Sequence, residues 1–255
     1  MSATVGTIEK LLDELAPMET AEEYDNVGAL VGSRKREVQS ILVALDATWE
    51  VVEEARERGA DLIVTHHPLM FHPRKNLLEE DPEGRILCEM TRAGLSLIAA
   101  HTNLDKTAYS GSACCARLLK LRSVRQEGYL FLGELPRPMP AGELRDEITR
   151  ALAFPTRCYG GEERLISTLA IGGGACDEEW AEAKALGAQA FLTGEVRHHN
   201  ALAASMEDFV IFDGGHYGTE APLVPVLAEY LQNRLNDVQY NVTVFPSRIA
   251  PFGRV

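Results

Sequence analysis

The 255-residue sequence predicts an α/β fold built as two interlinked lobes of similar topology. Three observations predict it. Aliphatic runs of strand length alternate with amphipathic segments of helix length, the pattern of βαβ units and parallel sheets. Three of those runs stop at metal-type side chains. Leu62-Ile63-Val64-Thr65 leads to His66-His67-Pro68, Leu97-Ile98-Ala99-Ala100 leads to His101 and Asp105, and Val210-Ile211-Phe212-Asp213 leads to His216 and Glu220. Parallel strands are covered on both faces and so read as apolar runs, and ligands bind beyond their carboxyl ends. Lastly, an ungapped shift of 128 positions lays Ile41-Leu42-Val43 on Leu169-Ala170-Ile171, Glu54-Ala55 on Glu182-Ala183 and Gly59-Ala60 on Gly187-Ala188. One strand–helix–strand unit therefore occurs twice. The second copy carries Thr193-Gly194-Glu195 where the first has Thr65-His66-His67.

Taken in order, Thr7 is the expected cap of a first helix whose apolar face is Ile8, Leu11, Leu12 and Leu15, closed by Pro17. Asp25-Asn26 reads as turn chemistry ahead of a short strand at 29–31. A strand over 40–45 ends in Asp46. Thr48 caps a helix that turns Trp49, Val52 and Ala55 inward and stops at Gly59. With the first histidine strand this makes a βαβ unit with a right-handed crossover. A helix over 83–92, stopped by Gly94, feeds the second ligand strand, and 112–120 is a further helix. Residues 128–135 read as a strand, and Pro136 to Pro140 as a linker or wide turn. A helix over 141–152 and a strand over 165–171 follow, the latter ending in Gly172-Gly173-Gly174. A helix over 199–206 precedes the third ligand strand. The 220–235 segment is amphipathic; Pro222 suits its first turn, and Pro225 demands a late start or a kink. A strand at 242–245 closes the chain. The resulting division is 1–123 plus 196–255 for the metal-binding lobe and 124–195 for an inserted second lobe.

Composition narrows the function. With 25 basic and 38 acidic residues the net charge is −13, which argues against general binding to a phosphate backbone. A single nucleotide stays compatible where a bound metal offsets its charge. No apolar run is long enough to span a bilayer, and the N-terminus lacks a basic region followed by an apolar stretch. Five scattered cysteines without a CxxC point to reduced thiols in a cytoplasm. The absence of GxxxxGK[ST] and of GxSxG excludes P-loop nucleotidases and serine hydrolases.

The strand-end residues carry the chemistry. In a continuing strand His66 and His67 would point to opposite faces. At a strand end before Pro68, which disfavours helical geometry at His67, they can splay toward two metals. His101 and Asp105, and likewise His216 and Glu220, are four apart, which on helical backbone sets both side chains on one face. Imidazole with carboxylate suits zinc, iron, manganese or nickel. Six candidates including two acids suit two divalent ions, typically ~3.5–4 Å apart, with a bridging carboxylate and water. His198-His199 near a helix start and His72 between Phe71 and Pro73 read as surface or supporting positions. Gly172-Gly173-Gly174 lacks the full GxGxxG spacing and reads as a tight βα turn.

These stretches together resemble one family. They are Tyr24-Asp25-Asn26-Val27-Gly28, Thr65-His66-His67-Pro68, His101-Thr102-Asn103-Leu104-Asp105, Thr193-Gly194-Glu195 with His198-His199, and Gly215-His216-Tyr217-Gly218-Thr219-Glu220. The family is that of the GTP cyclohydrolase I type 2 homologues, also called NGG-one-interacting-factor-three-like. The resemblance covers nearly the whole chain, in the short form without an extra mid-chain domain. Glu195 stands where Asp is common and Tyr24 where Trp is common. The resemblance implies a dinuclear metal site and a toroidal homohexamer. It implies His66, His67, Asp105, His216 and Glu220 as metal ligands, Glu220 bridging, with His101 as a ligand or proton-transfer group. It also implies GTP as substrate. A metal-bridging hydroxide would attack C8 of the guanine imidazole ring, with His101 moving the proton and His198, His199 or Glu195 assisting. The alternatives are a dinuclear phosphoesterase and a non-enzymatic metal-binding hexameric scaffold or regulator.

Overall fold

The structure, a computed structural model, describes residues 2–251 and divides into two compact units. The first comprises residues 2–107 and 224–251, the second 108–223. The fold class is the α/β one expected, with several sheets and helices.

The first unit runs β1 (Ala3–Thr4), α1 (Val5–Leu15), β2 (Gly28–Val31), β3 (Glu37–Val38), β4 (Ser40–Ala44), α2 (Trp49–Glu57), β5 (Leu62–Thr65), α3 (Pro82–Ala93), β6 (Ser96–Ala99) and α4 (Thr102–Asp105). The second holds α5 (Gly111–Leu118), β7 (Arg122–Glu127), β8 (Leu130–Pro140), α6 (Ala141–Leu152), β9 (Arg157–Tyr159), β10 (Leu165–Ile171), α7 (Trp180–Ala185), β11 (Ala190–Thr193), α8 (His198–Met206), β12 (Val210–Asp213) and α9 (His216–Glu220). The chain then returns to the first unit with α10 (Leu223–Asp237) and β13 (Thr243–Pro246).

Sheet order in the first unit is β13-β4-β5-β6-β2, parallel except for β2. In the second it is β7-β8-β10-β11-β12-β9, with β10, β11 and β12 parallel and β9 antiparallel on the end. The core of each sheet is therefore the same. Three parallel strands are followed by an antiparallel strand that comes from earlier in the chain. Even the register repeats: Ile41 pairs with Leu62 and Leu169 with Ala190, both shifted by the 128 positions read in the sequence. Burial explains the apolar runs. Along β10, β11 and β12, Leu169, Ile171, Leu192 and Phe212 fall in one apolar cluster, while Ala170, Phe191 and Ile211 fall in another. Each strand is covered on both faces, so neither set of alternating positions is polar.

Several local readings need correction. Thr4, not Thr7, caps α1; Thr7 is the third helical residue and completes a reciprocal capping box, its hydroxyl accepting from the Thr4 N–H while its own N–H donates to the Thr4 hydroxyl. Residues 136–140 are no linker but the end of β8, where Met139 and Pro140 pair with Ile166 and Leu165 beyond a register shift. Prolines are tolerated there because β7 pairs only with the earlier part of β8. The Arg122 side chain donates instead to the carbonyls of Leu135 and Pro136. Pro225 marks a late helix start, α10 beginning at Leu223. The third ligand strand, β12, pairs with β11 and β9 in the second sheet, so the second unit is larger than the 124–195 read from the sequence. Local patterning could not show this, because a fully buried strand looks alike in either sheet.

Candidate metal centre

In the first unit the site stands where β4, β5 and β6 end. The ladder runs two residues past β5, with the His66 N–H donating to Ala44 O and the His67 N–H to Leu45 O. The Thr65 hydroxyl closes the turn by donating to His67 O at 2.8 Å. His66 is fully buried and His67 half-buried. Each ring is held through Nδ1. His66 Nδ1 donates to Ala100 O at 2.9 Å, and His67 Nδ1 to the Asp46 carboxylate at 2.7 Å. Those acceptors fix the tautomer and leave Nε2 as the nitrogen that could ligate a metal.

His101 caps α4, its N–H donating to Asn103 Oδ1 at 3.0 Å. Its Nδ1 donates to Asp25 Oδ1 at 2.9 Å. The Asp25 side chain is fully buried and collects further hydrogen bonds from the N–H of Asn26 and from the N–H and hydroxyl of Thr102. Burial pushes this carboxyl upward, but the hydrogen bonds from His101 and Thr102 outweigh it and hold it well below the usual carboxylate range. The rings of His66, His67 and His101 pack at centroid distances of 4.9, 5.0 and 5.4 Å. One nitrogen from each falls within 4.8 Å of the others, a group that could hold a metal ion. Asp105 adds a carboxylate, Oδ1 lying 3.6 Å from His66 Nε2.

The second unit presents a parallel arrangement on α9, which follows β12 as α4 follows β6. His216 Nδ1 donates to Glu195 Oε1 at 2.9 Å, and His216 Nε2 lies 3.0 Å from Glu220 Oε2. Glu195 takes a left-handed backbone, φ 54°, that a non-glycine residue adopts at some cost. Glu220 is buried. Close packing leaves its side chain little choice. A Cβ on Gly174 would fall 2.1 Å from Glu220 Oε1, and one on Gly194 would fall 2.6 Å from the His216 backbone nitrogen. Buried Cys115 braces the same helix, its thiol donating to Thr219 O at 3.2 Å. Burial, with Cys114 and Glu220 nearby, pushes that thiol far up, so it stays protonated and unreactive. Cys114 is also buried and in contact with Arg117.

The structure thus brings together His66, His67 and His101, with Asp105 beside them, in one unit, and His216 with Glu220 in the other. His198 and His199 are exposed at the start of α8, and His72 is exposed with its ring against Phe71. Sequence reasoning missed the orienting acids. Local pattern reads Asp25 as a turn residue and Asp46 only as a strand end. The rule that singled out the histidines, an acid or imidazole at the end of an apolar run, also marks Asp46. No described helix is long and apolar enough to cross a membrane.

Residues 3–251 match the model of the family described as Duf34/NIF3 (NGG1p interacting factor 3). A "GTP cyclohydrolase 1 type 2 homolog" of Streptomyces coelicolor is 35% identical over 226 residues, covering 83% of this chain and 79% of its own. The "GTP cyclohydrolase 1 type 2" of Helicobacter pylori is 30% identical over 231 residues, covering 91% and 93%. Among solved structures, the Staphylococcus aureus hypothetical protein SA1388 is similar over 100% of both chains, with a TM-score of 0.96 at 28% identity.

Proposed function

Because this chain belongs to the Duf34/NIF3 family, we propose that it is a metal-dependent hydrolase with a dinuclear centre, acting on GTP by hydrolytic opening of the guanine imidazole ring. His66, His67, Asp105, His216 and Glu220 are the proposed ligands, with His101 beside them. The observation that carries this reading is the way the histidines are held. Each of the four gives its Nδ1 hydrogen to a fixed oxygen (Ala100 O, Asp46, Asp25 or Glu195), which directs Nε2 outward, as a ligand atom in His66, His67 and His216 and as a proton acceptor in His101. Imidazoles packed only for structure do not need four separate acceptors on the same nitrogen.

Divalent ions held there supply Lewis acidity and lower the pKa of coordinated water toward neutrality. His101, backed by a carboxylate that stays ionised, can take up a proton at Nε2 and return it to the leaving ring nitrogen. Asp25 holds that ring in one orientation through the cycle. The chemistry balances without an oxidant: one water opens the ring at C8 and a second releases C8 as formate.

The test is metal-loaded protein with GTP, following formate and phosphate separately. The proposal expects formate without phosphate, and loss of that turnover in Glu220→Gln. Phosphate without formate would make the protein a phosphoesterase instead. No turnover with any of zinc, iron, manganese or nickel would leave a binding protein.

A further inference from the structure

The first unit carries a cleft of about 730 Å³, the size of a small-ligand site, with His67 and Asp46 in its lining. Trp49, Leu69, Phe71 and Ile86 give it apolar and aromatic walls, and Glu79, Glu80 and Glu83 line it as well. Among the described lining residues Arg85 is the one cation, and its guanidinium lies over the Trp49 ring, 4.0 Å from the centroid. A polyphosphate is recognised by cations and by open helix N-termini. Here the one cation is laid on an aromatic ring, Thr48 already caps α2, and at the start of α3 the acids Asp81 and Glu83, not cations, stand beside the helix N–H groups. The acids repel phosphate, whereas the aromatic walls accept a flat ring. Arg85 over Trp49 is already a planar, π-stacked group of that kind.

Two of the three acids are engaged, Glu79 with Arg92 and Glu83 with Arg74. Glu80 is exposed. A carboxylate accepts two hydrogen bonds side by side from adjacent N–H donors, and the N1–H and amino group of a guanine-type ring present such a pair.

The geometry points to this cleft as the site of the substrate's heterocycle: a planar ring, neutral or cationic, with adjacent N–H donors, stacked on the aromatic wall and held by Glu80, while any phosphate lies outside. The choice of guanine as the ring rests on the hydrolase reading above; the exclusion of phosphate rests on the cleft alone.

Zinc-loaded full-length protein is titrated with guanosine and with ribose 5-phosphate, following tryptophan emission. Guanosine is expected to quench saturably, and the quench to vanish in Trp49→Phe. Glu80→Gln, an exposed change that leaves the fold intact, is expected to weaken guanosine about tenfold, the loss expected for hydrogen bonds to a charged group. Ribose 5-phosphate at equal concentration should neither quench nor displace guanosine. Displacement of guanosine by ribose 5-phosphate, an unchanged affinity in Glu80→Gln, or no quench at Trp49 would each overturn the assignment. The two readings fail separately. If GTP yields no formate but guanosine still binds through Trp49 and Glu80, only the hydrolase reading falls. If formate is released while guanosine leaves Trp49 untouched, only the cleft assignment falls.

Discussion

Asp46 and Asp25 settle for His67 and His101 what the pattern around each histidine does not show: each takes the Nδ1 hydrogen and so chooses which nitrogen faces outward. Such partners typically contribute ten- to hundredfold in metal affinity. Asp46→Asn should therefore lower zinc affinity by about that factor, measured by competition with a chromophoric chelator, while the far-ultraviolet circular dichroism is unchanged. Unchanged affinity would mean that Asp46 does not orient a ligand. At this scale the sequence was legible for the ligand candidates and silent for their supports. His101 and Asp25 are 76 positions apart, and nothing in either neighbourhood marks the other. Asp25-Asn26 carries genuine turn chemistry as well, the Asn26 N–H donating to Asp25 Oδ1, so its local pattern told only half its role.

At the scale of elements, α1 is tied to β2 by one acid. Glu9, nearly buried, accepts from the Ala29 N–H at 2.9 Å and from Arg34 Nε and Nη2 at 2.6 and 2.8 Å. The Arg34 hydrogen bond comes first among the causes that hold the Glu9 carboxyl below its ordinary value, against the opposing effect of burial. A carboxyl lowered on folding adds stability that is fully present above its unfolded pKa. That stability is lost as pH falls through the folded value. Arg34 is largely exposed, so solvent screens the pair. Glu9→Gln should cost about 1 kcal/mol at neutral pH by urea denaturation, and the difference from wild type should vanish in acid. A difference that persisted in acid would assign the cost to packing instead. Elements with strong period and caps were readable: α2 begins after Thr48 and α3 ends at Gly94, whose φ is 69°. The exposed β7 and the three-residue β9 were not: β7 has every residue in solvent and carries no hydrophobic signal, and β9 is too short to show a period.

At the scale of the molecule, the duplicated topology is the main result. β6 with α4 and β12 with α9 are counterparts, and each delivers one histidine and one acid four residues apart. The 128-position shift showed the duplication, but the sequence reading assigned β12 to the wrong sheet. Ligand chemistry pulled it toward the other histidines, whereas pairing with β11 and β9 decides where it lies. The metal itself is the claim on which the rest depends. The most direct measurement is anomalous scattering at the zinc, iron, manganese and nickel edges from crystals of the protein as purified. The account predicts peaks within coordination distance of Nε2 of His66, His67 and His216, with Asp105 and Glu220 as carboxylate ligands. Fully metal-loaded crystals with no peak at those nitrogens, or with metal on Nδ1, would contradict it.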